Sequence, residues 1–185
     1  MKNFIRRLFG RFHVVTHSDV LSYKGSWRKG AFHGYGVLEY SNGGLYKGDF
    51  KSGVKHGFGV YTSASGFRYE GEWSDGEQTG SAKISYKNGD WYEGAVKNGV
   101  RCGLGELSEL SSQRIFKGNW GNGSLVGDIH ITSSDWKYFG TIPDPHGCAS
   151  GSLTYSDGST YVGNITNFTR YGIGKFTSKA GNQIA

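Results

Sequence analysis

Apolar and polar residues alternate along this chain with a period of two, nested inside a longer period of 23 residues. The tripeptides Tyr23-Lys24-Gly25, Tyr46-Lys47-Gly48, Tyr69-Glu70-Gly71, Tyr92-Glu93-Gly94, Phe116-Lys117-Gly118, Tyr138-Phe139-Gly140 and Tyr161-Val162-Gly163 open seven successive units. A fixed period of this length indicates a repeat architecture in which each unit is one supersecondary element. With each leading aromatic counted as position 0, position 4 reads Trp27, Phe50, Trp73, Val96, Trp120, Ile142, Ile165. Position 15 reads Leu38, Tyr61, Ile84, Leu107, Ile131, Leu153, Phe176. Every one is apolar or aromatic. Side chains on a strand alternate between faces, so positions 0, 2 and 4 share one face while Lys47 and Asp49 point away. In the second half of a unit, Gly34, Gly36, Leu38 and Tyr40 share a face opposite Tyr35, Val37 and Glu39.

Composition explains how such a face is built. Glycine supplies 32 of 185 residues, and most copies fall at positions 2, 7, 11, 13 and 20. Inside a strand, a missing side chain lets an aromatic ring lie across the backbone. At positions 7 and 20, as in Lys29-Gly30 and Asn42-Gly43, glycine suits tight turns with φ > 0. Each unit therefore predicts one β-hairpin. The chain predicts an all-β fold, an elongated single-layer antiparallel meander of stacked hairpins. At about 4.8 Å per strand, the ribbon would run about 65 Å. The 28 aromatics and only 2 prolines exclude a flexible linker and collagen, and no apolar run is long enough for a membrane helix. Within the sixth unit, Ile142-Pro-Asp-Pro-His146 replaces the first turn and predicts a kink or loop.

Outside the repeats, Arg11 to His17 aligns with Gly34 to Tyr40, so residues 13–22 predict a strand capping the sheet of residues 23–185. At the other end Gly181 falls at position 20 and Ile184 at the next leading position, which predicts a strand edge open to self-association. Residues 1–12 have helical periodicity. Phe4, Ile5, Leu8, Phe9 and Phe12 form one stripe, bordered by Lys2, Arg6, Arg7 and Arg11. These nine residues are candidate contacts to an anionic membrane surface; the same helix would equally serve as a cap folded over the first sheet edge. The net charge of +6 is largely local to this segment, because the remaining basic residues nearly balance the 15 acids. That balance disfavours nucleic acid as the partner of the sheet.

The unit Tyr46-x-Gly48-x-Phe50-x-x-Gly53-x-x-His56-Gly57-x-Gly59-x-Tyr61, followed by Gly66-x-x-Tyr69-x-Gly71, resembles the MORN repeat. The resemblance covers residues 23 to 181 and is closest in the first three units. Later units depart from it: Thr79 and Cys102 replace the histidine, Ala82 and Ile129 replace a glycine, and Pro145 stands where a turn glycine belongs. The resemblance implies a single-layer sheet whose aromatic groove binds partner proteins, end-to-end dimerisation in some members, and association with anionic lipid. It also implies that catalysis, where members have it, resides in a separate domain.

The residues themselves carry no conventional catalytic motif, metal-ligand spacing or nucleotide-binding loop, so no cofactor and no enzymatic activity are expected. His33 and His56 share position 10 but stand one repeat apart, roughly 10 Å, too far for one metal ion. Cys102 and Cys148 lie two repeats apart, roughly 19 Å, beyond disulfide reach. Unpaired cysteines and the absence of a secretory signal point to a cytoplasmic setting, free or peripheral to a membrane, in which Asn122, Asn164 and Asn167 are chance sequons. The favoured function is a binding or scaffold module. Tyr23, Trp27, Tyr46, Phe50, Tyr69, Trp73, Tyr92 and Trp120 are the candidate groove for a peptide or helix of a partner protein, wherever they are not consumed as the sheet's own core.

Overall fold

The computed structural model describes residues 19–142 and 148–184, with the side chains of residues 148 and 184 excepted. The expected N-terminal helix (1–12), most of the expected capping strand (13–22) and the irregular turn of the sixth unit lie outside the described residues. The chain divides into two compact units, residues 1–100 and 101–185. Among the described residues every regular element is a β-strand.

The first unit contains β1 (Val20–Arg28), β2 (Ala31–Tyr40), β3 (Leu45–Lys51), β4 (Val54–Thr62), β5 (Arg68–Ser74), β6 (Glu77–Ser85) and β7 (Trp91–Lys97). They pair antiparallel in chain order, as expected for a meander. The second unit contains β8 (Val100–Glu109, all but its first residue), β9 (Arg114–Gly121), β10 (Ser124–Thr132), β11 (Trp136–Thr141), β12 (Cys148–Tyr155), β13 (Thr160–Thr166) and β14 (Thr169–Thr177). A two-residue β15 (Gln183–Ile184) follows, and these strands too pair antiparallel in order.

Register turns the sequence period into rows. In the first unit Tyr23, Leu38, Tyr46, Tyr61, Tyr69, Ile84 and Tyr92 stand side by side across the strands. Next to them runs a row of small residues: Gly25, Gly36, Gly48, Gly59, Gly71, Ala82 and Gly94. The tyrosine rings fold onto that row. Tyr23, Tyr46, Tyr69 and Tyr92 are each 0% exposed. Their hydroxyls donate to the carbonyls of Ser26, Asp49, Glu72 and Ala95, three residues onward in each case. A tyrosine that buries its ring and satisfies its hydroxyl on its own strand gives the apolar gain without a polar cost. The second unit repeats the device with Tyr138 and Tyr161, and gathers a core of Ile129, Ile131, Tyr138, Leu153, Tyr161 and Ile165.

Within the repeats, the described hairpin turns are two-residue turns with both central residues at positive φ, for example Ser52 (51°) with Gly53 (91°) and Asp75 (51°) with Gly76 (88°). This is the turn whose twist matches that of the strands it joins. The structure adds a role that alternation does not reveal. Between the pairs Gly48↔Gly59 and Phe50↔Lys55, the single residue Asp49 faces three residues of β4, so this hairpin carries a bulge. Gly57 at φ 64° forms it, and Gly34 (63°) and Gly80 (64°) do the same in the neighbouring hairpins. The position-11 glycines thus serve the bulge rather than the aromatic packing. The bulge also brings the position-10 carbonyl inward, where Thr79 O, at 3.2 Å, shares the Tyr69 hydroxyl proton with Glu72 O.

Candidate functional site

The front face of the sheet, which carries the tyrosine row, is where the sequence places its candidate groove. Tyr23, Tyr46, Tyr69 and Tyr92 are fully buried, and Phe50, Trp73 and Trp120 are 3–5% exposed. Only Trp27 of the eight is half-buried. Those seven belong to the buried cores of their units, and in the first unit they pack edge to face: Tyr46 lies 5.1 Å from Phe50 and 5.3 Å from Trp73, and Tyr69 5.1 Å from Trp73. Burying such rings stabilises each by about 1.5–3 kcal/mol, so they hold the sheet and offer little surface. Trp73 and Trp120 also satisfy their indole N–H on the previous hairpin, donating to Gly59 O (3.2 Å) and Gly105 O (3.1 Å).

The front-face surface left over comes from residues that the sequence reading did not select. In the first unit Tyr40, Tyr61, Phe67 and Tyr86 form a half-buried aromatic ridge, with centroids 6.0–6.5 Å apart along the series. Beside it, Lys55 reaches across the face from position 9. Its Nζ stands 4.5 Å from the Trp73 ring, 5.1 Å from Tyr61, and 5.2 Å from both Tyr40 and Tyr46. Burial pushes its pKa down to about 8, and raises those of Tyr40 and Tyr69 to about 12. In the second unit Arg170, also at position 9, lies over Tyr155 (5.8 Å) and Phe176 (4.8 Å), and Arg114 over Trp136 (5.3 Å) and Phe168 (5.6 Å).

Charge is therefore distributed by face, which the near-neutral balance of the repeats conceals. Front-face cations rest on rings. The ion pairs Arg68–Glu70 and Lys83–Glu93 lie on the back of the first unit, and Lys117–Glu106 on the back of the second. The back face of the first unit also exposes Tyr35 and Phe58, and that of the second exposes Leu104. Between Tyr35 and Phe58 a shallow depression of about 430 Å³ is lined by Leu45, Lys47, Val60 and Arg68. Among the described residues no group of three His, Cys, Asp or Glu side chains is placed to hold a metal ion. Cys102 is a half-buried free thiol, and His33 and His56 are half-buried on their own hairpins, at the bulges.

Four consecutive segments, residues 23–45, 46–68, 69–91 and 92–108, match the family model of the MORN repeat. Residues 23–108 are MORN repeats. Such repeats are common in membrane- or lipid-associated proteins and in scaffolds, and their all-β fold is typically non-catalytic. No curated protein matches the chain. The match to the MORN model ends at residue 108, and packing explains one departure beyond it. Where Phe116 replaces the leading tyrosine, there is no hydroxyl to seat over the next strand, and Ile129 fills the place that Gly36 and Gly59 leave empty in the matched MORN units. The candidate membrane contacts, Lys2, Phe4, Ile5, Arg6, Arg7, Leu8, Phe9, Arg11 and Phe12, lie outside the described residues.

Proposed function

We propose that this MORN-repeat protein is a non-catalytic scaffold module that binds a partner protein on its front face. The observation that supports this reading is the ridge of Tyr40, Tyr61, Phe67 and Tyr86, aromatic surface that remains half-open after the tyrosine row has been packed. Aromatic side chains that are rigidly held and partly exposed are efficient contact residues, because little conformational freedom is lost on binding. The buried groove residues act indirectly, by fixing the ridge. A photoreactive phenylalanine analogue placed at Phe67 on the front, or at Phe58 on the back, tests the face in the native host. A defined protein adduct from position 67 and none from position 58 is the expected result; adducts from position 58 alone would move the interface to the back.

A second reading rests on the sequence of residues 1–12, whose basic and aromatic residues suit an anionic membrane surface. In that reading the segment tethers the scaffold to a membrane in the cytoplasm. Sedimentation with phosphatidylserine vesicles tests it. Binding that survives deletion of residues 1–12 removes the tether, and binding lost with the fold intact supports it.

A further inference from the structure

The geometry points to a binding site for a trimethylated lysine of a partner protein, in the four-ring cage that Lys55 closes. The inference rests on the front-face reading above and names the chemistry that face would select. Tyr46 and Trp73 form the floor of the cage, while the half-buried Tyr40 and Tyr61 form its mouth. All four rings stand 4.5–5.2 Å from the Lys55 ammonium. Ring faces attract positive charge but accept hydrogen bonds poorly, and cages of this kind suit quaternary ammonium groups.

Lys55 is an imperfect occupant of such a site. Its ammonium has three N–H donors, yet among the described residues no carboxylate stands within ion-pair distance of it. Its environment is desolvating, as the downward pKa shift shows. A trimethylated ammonium carries the same charge without N–H groups, so it loses little by leaving water. Exchange therefore returns a strongly hydrated amine to solvent and places a weakly hydrated one over the rings. Only the Lys55 side chain has to move, because its backbone is fixed by pairing with Phe50 and by the Gly76 N–H donating to its carbonyl at 2.9 Å.

Two further observations narrow the ligand. The resident is itself a lysine threaded across the face, so the space matches an alkylammonium chain attached to a polypeptide. The absence of a carboxylate favours the trimethyl state over the lower methyl states, which retain an N–H to satisfy. The enclosure is particular to this hairpin: the equivalent place holds Gln78 in the next, and in the last Arg170 lies over the rings of Tyr155 and Phe176 alone.

The test uses the full chain and three probes in calorimetry: acetyl-glycyl-trimethyllysyl-glycine amide, its unmethylated counterpart, and phosphocholine. The trimethyl probe is expected to bind the native protein, and on the order of tenfold more tightly the Lys55→Ala variant, whose cage is vacated. The unmethylated probe is expected not to bind Lys55→Ala, and Tyr61→Leu added to that variant is expected to remove trimethyl binding. Circular dichroism confirms that each variant is folded, and if Tyr61→Leu is not, Tyr40→Leu replaces it. Failure of folded Lys55→Ala to bind the trimethyl probe overturns the proposal, as does phosphocholine binding alone, which would mark a lipid-headgroup site. If these fail while position 67 still gives adducts, the front-face reading stands and only the cage chemistry falls.

Discussion

The Tyr23 ring lies so close over Gly36 that a Cβ on that glycine would meet the tyrosine hydroxyl oxygen at 2.5 Å and Cε2 at 2.6 Å. The two residues act as a pair, since the glycine is empty so that the ring can bury itself and bond Ser26 O. The Phe116 and Ile129 combination shows the alternative filling of the same space. Gly36→Ile alone is expected to destabilise the protein by about 3 kcal/mol through overpacking. Combined with Tyr23→Phe, the cost should fall below the sum of the single changes. Denaturant titration of the four-member cycle measures the coupling, and strict additivity would show that the two positions are independent.

Glycines at positive φ separate into two kinds. Gly66, at φ 93°, has open space where a side chain would go, so Gly66→Ala meets only backbone strain, about 1 kcal/mol. At the bulge, Gly57 (φ 64°) would place a Cβ 3.0 Å from Asp49 Oδ2 and 3.2 Å from its Cβ. Gly57→Ala is therefore expected to cost about 1 kcal/mol more than Gly66→Ala. Equal losses in thermal unfolding would mean that the bulge yields freely.

The last turn sets strain against packing. Phe168 takes φ 61°, a conformation that suits glycine, yet its ring stacks on Trp136 (5.8 Å, 18°) and meets Tyr138 edge on (5.5 Å). Phe168→Gly would relieve about 1–2 kcal/mol of backbone strain. It would also remove a half-buried ring contributing about 3 kcal/mol. A net loss of stability is expected, accompanied by a change in tryptophan fluorescence from Trp136. A stabilised variant would show that the turn, and not the stack, dominates.

The sequence made the hairpin meander legible because two periods coincided, alternation within strands and 23 residues between units. Alternation assigns Tyr46 and Trp73 to a face but says nothing about whether that face is covered. Their burial depends on a ring lying over the glycine row and on a tryptophan from the following hairpin, neither of which is a local pattern. Lys55 shared the parity of Gly57, Gly59 and Tyr61, so its face was readable. Its place was not, because position 9 holds Phe32, Lys55, Gln78 and Arg101 in successive units and shows no type preference. The bulge at Gly57 was equally hidden, since it inserts residues without disturbing the 23-residue period.

Lys55 and the surrounding tyrosines should give the protein a stability profile with opposite slopes at high pH. The folded-state pKa of Lys55 is lowered to about 8 by burial, below the ordinary 10.5, although the four rings oppose the shift by attracting the charged form. Between those values the unfolded chain binds more protons, so stability rises with pH; the cost of burying the charge is fully present below about 8 and gone above about 10.5. Tyr23, Tyr40 and Tyr69 are shifted the other way, up to about 12, by desolvation. The folded chain then keeps protons that the unfolded chain loses above 10, and stability falls from there to about 12. Urea unfolding across pH 7 to 11 should therefore show a rise from about 8 followed by a fall above about 10. Lys55→Met keeps the alkyl packing, removes the titrating group, and should abolish the rise while leaving the fall. An unchanged rise in that variant would assign it to another group, and a Lys55 amine titrating at 10.5 by NMR would show that the rings outweigh the loss of hydration.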